Sequence, residues 1–183
     1  RQADFSEADE ATLIREATEI IGKHEGIPPR GWMSPWISES DVTADLLKEN
    51  DYTYIMNWPC DDQPFWMRTR SGPILQVPYP VEINDSPAML NRRHTPSDFA
   101  EMAMDQFDVM IEQSEKQPLV MGLALHTFVV GQPFRFKHLQ RILEHFVNHP
   151  KRDKVWFARP GEIVDHVANL PRGIVPGSED LPD

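Results

Sequence analysis

The stretch LVMGLALHTFVVGQPFRFKHL, Leu119 to Leu139, constrains the fold more than any other part of the chain. The uncharged apolar run from Leu119 to Leu125 reads as a strand buried on both faces. It delivers one histidine, His126, into a loop holding Gly131, Gln132, Pro133 and Arg135. Apolar residues then recur at helical spacing: Phe136, Leu139, Ile142, Leu143 and Phe146. Strand, polar loop, helix is the repeating unit of α/β folds, in which ligands sit at the carboxyl ends of the strands. His126 stands at such an end. It either does chemistry there or closes the strand with its ring satisfied by backbone.

The rest of the chain alternates in the same way. Ser6, with Asp9 three residues on, starts a helix over 7–24 with Leu13, Ile14, Ala17, Ile20 and Ile21 as its apolar stripe. A short strand is expected around Trp32, a short helix capped by Asp41 or Thr43 ending near Asn50, and a strand over Tyr52–Trp58. FWMRTRSGPILQVPY predicts a hairpin turning at Ser71–Gly72. Thr95-Pro96-Ser97-Asp98 is a helix start, and that helix should reach about Glu115. KVWFA reads as a last strand and PGEIVDHVANL as a last helix, with 171–183 an extended tail. This order predicts a mostly parallel sheet covered by helices.

At 183 residues the chain suits one domain with a real core. A formal charge of -11 argues against a nucleic-acid partner and against anionic membranes. No run approaches the roughly 18 apolar residues of a spanning helix, and the polar opening RQADFSEADE is no signal peptide. A cytoplasmic location is expected. The single cysteine, Cys60, excludes an internal disulfide. The 17 prolines fall mostly between periodic segments, which predicts long, shaped loops.

If the strand ends lie side by side, one mouth collects Trp36, Asp61, Asp62, Glu82, Asn84, Asp85, His126 and Arg135. Carboxylates beside a histidine are the parts for general acid–base work. Asp61-Asp62 is either a plain exposed turn or, flanked by Trp58, Phe65 and Trp66, a poorly solvated base or ligand. Cys60 is a poor nucleophile beside two acids that suppress its thiolate. His145 and His149 have the i, i+4 spacing of metal ligands, yet a helix end also favours histidines for its carboxyl dipole. Arg135 either caps the following helix or touches substrate.

Five segments, PPRGWMSPW, LLKENDYTYIMNWPCDDQPFWM, VPYPVEIND, LALHTFVVGQPFRFKHL and VWFARPGEIVDH, together resemble the polysaccharide deacetylase (NodB-homology) superfamily. The likeness runs from about Glu7 to Leu170 and is nearer its allantoinase-like and cyclic-imide-hydrolase-like branch. It implies an irregular (β/α) barrel of which 1–170 is the C-terminal part. It also implies hydrolysis of amide C–N bonds. His126 would match the late strand-end histidine that protonates the leaving nitrogen or steadies the oxyanion. Asp61 and Asp62 would be pocket acids, and Glu82, Asn84 and Asp85 would line the substrate end. Trp36 and Phe134 would form apolar walls, with Gln132 and Arg135 as donors to a planar carbonyl substrate.

Two departures from the family pattern matter. Its early aspartate pair and His-x-x-x-His segment have no match, so the usual metal ligands and base would lie upstream of residue 1 or on a second polypeptide. Met33 stands where sugar deacetylases carry an arginine. The cofactor is therefore left open; a divalent metal such as zinc would be held mainly outside this chain. The leading expectation is a hydrolase of a small cyclic amide, imide or ureide, which flat apolar walls and a few directed donors suit. The alternatives are a metal-dependent N-deacetylase of N-acetyl sugars and a non-catalytic half-barrel subunit. Half a barrel would expose sheet edges and apolar helix faces, which predicts a closely associated second piece or a homo-oligomer.

Overall fold

Ser6 does start the first helix. In a computed structural model, which describes residues 1–179 and 181, its hydroxyl accepts from the Asp9 amide at 3.2 Å and opens α1, Glu7–Glu25. Gly26 ends that helix at φ +78, a backbone conformation that glycine adopts without the Cβ penalty. The element order is α1, β1 (Gly31–Trp32), α2 (Thr43–Glu49), β2 (Tyr54–Ile55), β3 (Phe65–Thr69), β4 (Gly72–Gln76), α3 (Pro96–Gln113), α4 (Thr127–Val130), α5 (Pro133–Asn148) and α6 (Pro160–Ala168). None of the described helices is long and apolar enough to cross a membrane. Residue contacts divide the chain into two units, Arg1–Pro78 with Ala158–Asp183, and Tyr79–Phe157.

The first unit is built on an open four-stranded sheet in the order β1-β2-β4-β3. β1, β2 and β4 run parallel, and β3 returns as the antiparallel arm of the predicted hairpin. The mixed α/β character predicted by the alternation is thus present. Gly31 makes room for the Tyr54 side chain beside it: a Cβ there would lie 1.9 Å from the Tyr54 ring, which would have to shift. The strand expected over Tyr52–Trp58 contributes only Tyr54 and Ile55 to the ladder. Tyr52 is instead fully buried and meets the Trp32 ring edge-on, and the Asn57 side chain accepts from the Ser34 amide and donates to the Ser34 hydroxyl and the Glu39 carboxylate. One apolar cluster holds Ile14, Leu46, Leu47, Ile55 and Ile74; another joins Leu75 and Val77 to Val164 and Val167 of α6.

The stretch from Pro171, expected to be an extended tail, is turned and packed where it is described. Val175 and Ser178 are buried, and the Trp66 amide donates to the Pro176 carbonyl at 2.8 Å. The cause is local: Gly177, at φ +78, brings the chain so close that a Cβ would sit 2.5 Å from the Trp66 carbonyl oxygen.

The second unit is helical. Thr95 and Asp98 make a reciprocal capping box at the start of α3, which buries Phe99, Ala103, Phe107 and Ile111 against Ile142 and Phe146 of α5. Leu119–Leu125 is not the two-faced buried strand its composition predicts. Only Ala124 bridges, to Asn84, and Leu125 is exposed. Met121 and Leu123 pack on the helical cluster, so one side of the run is buried and the other is not. The run has a single short neighbour to pair with, and it cannot build a ladder. KVWFA likewise forms no strand: Arg152–Lys154 is a 3-10 turn, and Trp156 and Phe157 are exposed.

Candidate active site

The lone bridge is what builds the site. The Ala124 amide donates to the Ile83 carbonyl at 3.0 Å, and the Asp85 amide to the Ala124 carbonyl at 3.1 Å. This parallel register sets Asp85 beside His126. The Val129 and Val130 amides bond the His126 carbonyl and start α4, which fixes the histidine's backbone.

Asp85 is fully buried and spends both carboxylate oxygens on His126. One accepts the backbone N–H at 2.8 Å, and the other lies 2.6 Å from ring Nδ1. A buried carboxylate is tolerable only with such donors. The ring is 38% exposed, so the inner nitrogen faces Asp85 and Nε2 is the nitrogen left to face a ligand. The Phe128 ring stands nearly edge-on to the imidazole at 5.5 Å. Beside the pair, Asn84 donates to the Tyr79 hydroxyl at 3.3 Å, while its Oδ1 is buried and has no hydrogen-bond partner among the described residues. Burial raises the Tyr79 phenol above its usual range, so it stays a neutral hydroxyl.

Of the residues singled out in the sequence, the structure brings together His126, expected as catalytic, with Asp85 and Asn84, expected to line the substrate end; Tyr79 and Phe128, which join them, were not singled out. The other candidates of the second unit lie along the same segment. Glu82 is exposed. Gln132 is exposed at the start of α5, where its side chain makes no cap. Phe134 is largely exposed beneath the Arg135 guanidinium, 5.0 Å from the ring centroid. Arg135 also donates to the Val129 carbonyl at 3.3 Å, so it does hold the turn before α5.

The first unit holds Asp61, Asp62 and Trp36. Both aspartates are exposed, so the poorly solvated setting that their aromatic neighbours predicted is absent. Asp61 accepts from the Gln63 amide at 3.1 Å, the plain turn read as the alternative. With Cys60, Phe65, Trp66, Pro176 and Gly177, Asp61 lines an open cleft of about 310 Å³. Trp36, at φ 61 and 83% exposed, carries the Arg1 guanidinium over its ring at 5.5 Å.

At the carboxyl ends of β1, β2 and β4 the same unit collects Ser34, Asn57 and Gln76 in a buried net that sequence reasoning did not single out. Glu39 completes it, accepting from Asn57 and from the Trp58 indole at 2.6 Å each. Burial holds the Glu39 carboxyl above the usual carboxylate range, against those two bonds. A raised acid binds its proton better folded than unfolded. Its contribution to stability is present below about pH 4.5 and is lost as pH rises through the shifted value. Urea unfolding across the acid range should show the stability difference moving against wild type and toward Glu39→Gln as pH rises. A difference independent of pH would contradict the shift.

The Asp85–His126 pair is a poor metal holder, because both carboxylate oxygens are engaged and no third ligand-type side chain joins the two among the described residues. Asp108, His145 and His149 do converge, their ligand atoms all within 4.8 Å of one another. The two histidines are not free at a helix end; they reach across to α3.

No protein-family model matches the chain. Over 118 residues, 56% of the chain, it is 33% identical to a Schizosaccharomyces pombe protein described as a polysaccharide deacetylase. Among solved structures it superposes on the PuuE allantoinase with a TM-score of 0.83 at 29% identity, covering 92% of this chain and 56% of that one. A Pseudomonas aeruginosa protein described as a polysaccharide deacetylase gives 0.81 at 29% identity, over 90% and 54%. The chain spans 35% of the length of the Schizosaccharomyces pombe relative. Its relatives and structural neighbours are polysaccharide deacetylases with an allantoinase among them, as the five segments predict, and its fold is theirs with the sheet open.

Proposed function

We propose that this chain, with polysaccharide deacetylases as its relatives, carries the proton-donating part of a hydrolase that cleaves an amide C–N bond. One observation carries the reading: a buried Asp85 grips His126 through both Nδ1 and the backbone N–H, which leaves Nε2 as the nitrogen not bound to Asp85 on a ring that is 38% exposed. Hydrolysis adds water to the carbonyl and must expel nitrogen, which leaves only when it takes up a proton. In its protonated form His126 gives the Nε2 proton to that nitrogen. Asp85, on Nδ1, fixes which nitrogen is presented and balances the imidazolium charge. The water's own proton goes to a base that the resemblance assigns to residues outside this chain.

The substrate we favour is a small cyclic amide, imide or ureide. The likeness to an allantoinase supports it, as does Met33 at the place of the sugar enzymes' arginine. Phe128 and Phe134, both exposed, offer flat apolar surface to such a ring. Asp61, Asp62 and Trp36 enter this reading through the resemblance alone. The second reading, N-deacetylation of an N-acetyl sugar, is favoured by the descriptions of the deacetylase relatives. There a divalent metal such as zinc, held outside this chain, would polarise the carbonyl. Both readings expect a completing segment or a homo-oligomer. The test is to assay the complete protein on allantoin, hydantoin, succinimide and N-acetylglucosamine oligomers, beside His126→Ala. Ring opening lost in the variant supports the first reading, and acetate release lost on chelation supports the second. Failure on every amide refutes both.

A further inference from the structure

The second unit contains another convergence of chemistry, away from Asp85 in sequence. Asp108 comes from α3, His145 from the last turn of α5, and His149 from the residue that ends it. One carboxylate oxygen, Asp108 Oδ1, lies 2.6 Å from His145 Nε2 and 3.4 Å from His149 Nε2. We propose that these three side chains form a site for a divalent transition metal of the zinc class, with its remaining position open to water.

The geometry is close to what such an ion needs. Ligand atoms about 2.0–2.2 Å from a tetrahedral zinc stand roughly 3.4 Å from one another. The His149–Asp108 separation already has that value. The His145 contact must open by less than an ångström, and the third separation, which is no more than 4.8 Å, lies at most about 1.4 Å from the tetrahedral value. The side chains keep their freedom to do so: Asp108 is 43% exposed and His145 31%, while His149, at 14%, is the anchor. Phe107 floors the site, meeting the two imidazole edges at 6.1 and 5.6 Å. Two imidazoles and one carboxylate select zinc, cobalt, nickel or copper over magnesium and calcium, which prefer all-oxygen shells. Lys151, two residues beyond His149, is drawn to Glu115 at 3.2 Å.

Proton accounting gives the site a signature. Each imidazole now turns Nε2 toward the carboxylate and so carries its proton there. A metal takes the Nε2 lone pair and leaves the neutral ring's proton on Nδ1. In His149, Nδ1 is the acceptor of the Lys151 backbone N–H at 3.1 Å. Metal binding must therefore break that bond and release the Lys151 amide to solvent.

Chelator-stripped protein should be titrated with zinc chloride and followed by amide and imidazole NMR, with bound zinc counted by equilibrium dialysis. Wild type should hold one equivalent more than His145→Gln, and the Lys151 amide should shift with that equivalent, whereas magnesium chloride shifts nothing. Equal stoichiometry in the two proteins would overturn the site. So would a Lys151 amide and His145 and His149 rings that stay unmoved in wild type under excess zinc, a result that needs no variant to fold.

Discussion

On the proposed amide hydrolysis, replacing Asp85 by asparagine should lower kcat about a thousandfold or more. The amide has one acceptor oxygen where the carboxylate has two, and His126 presents two N–H groups to them. If the new oxygen keeps the backbone N–H, the new NH2 faces ring Nδ1 and forces the ring proton onto Nε2. The ring is then neutral, and its Nε2–H is far too weak an acid to expel nitrogen. The imidazolium that could do so has lost its counter-charge. KM should change little, since nothing that faces solvent is removed. Steady-state kinetics measures the first effect and imidazole NMR the tautomer. A variant that keeps wild-type kcat would remove His126 from the proton path. Because Asp85 is wholly buried, urea unfolding must show that the variant is folded at the assay temperature.

This pair also marks how far the sequence can be read. Asp85 and His126 are 41 residues apart, and only the expectation that strand ends share a rim brings them together. That expectation holds for these two, although the strand that motivated it is a single bridge. Composition says that Leu119–Leu125 is apolar; whether such a run forms a ladder depends on a partner of matching length, which is a non-local fact. Thr95 and Ser6 were legible for the opposite reason, since a cap is decided within four residues. Asp61 and Asp62 show the same divide. Aromatic neighbours in sequence say nothing about which way a turn points, and the turn points to water. Asp108 could not be found beside the His145–His149 spacing, because the register of α3 on α5 sets that meeting across 37 residues.

That register rests on Phe107, and Phe107→Ala should cost about 3–5 kcal/mol of stability. The ring is 5% exposed and stacks on Phe146 with centroids 4.1 Å apart, inclined by 20°. It also makes T-shaped contacts with His145 and His149, with centroids 6.1 and 5.6 Å away. Truncation removes the transfer energy of a whole aromatic side chain and leaves a cavity between two helices that are held at both ends by other contacts, so the gap cannot fully collapse. Phe107→Leu restores most of the volume without the stacking and should cost less than about 1.5 kcal/mol. Phe134→Ala, at 60% exposure, should stay within about 0.5 kcal/mol. Urea midpoints for the three variants test the order. Should the alanine at 107 prove as mild as the one at 134, the α3–α5 contact is not what holds the second unit together, and the meeting of Asp108 with the two histidines would need another support.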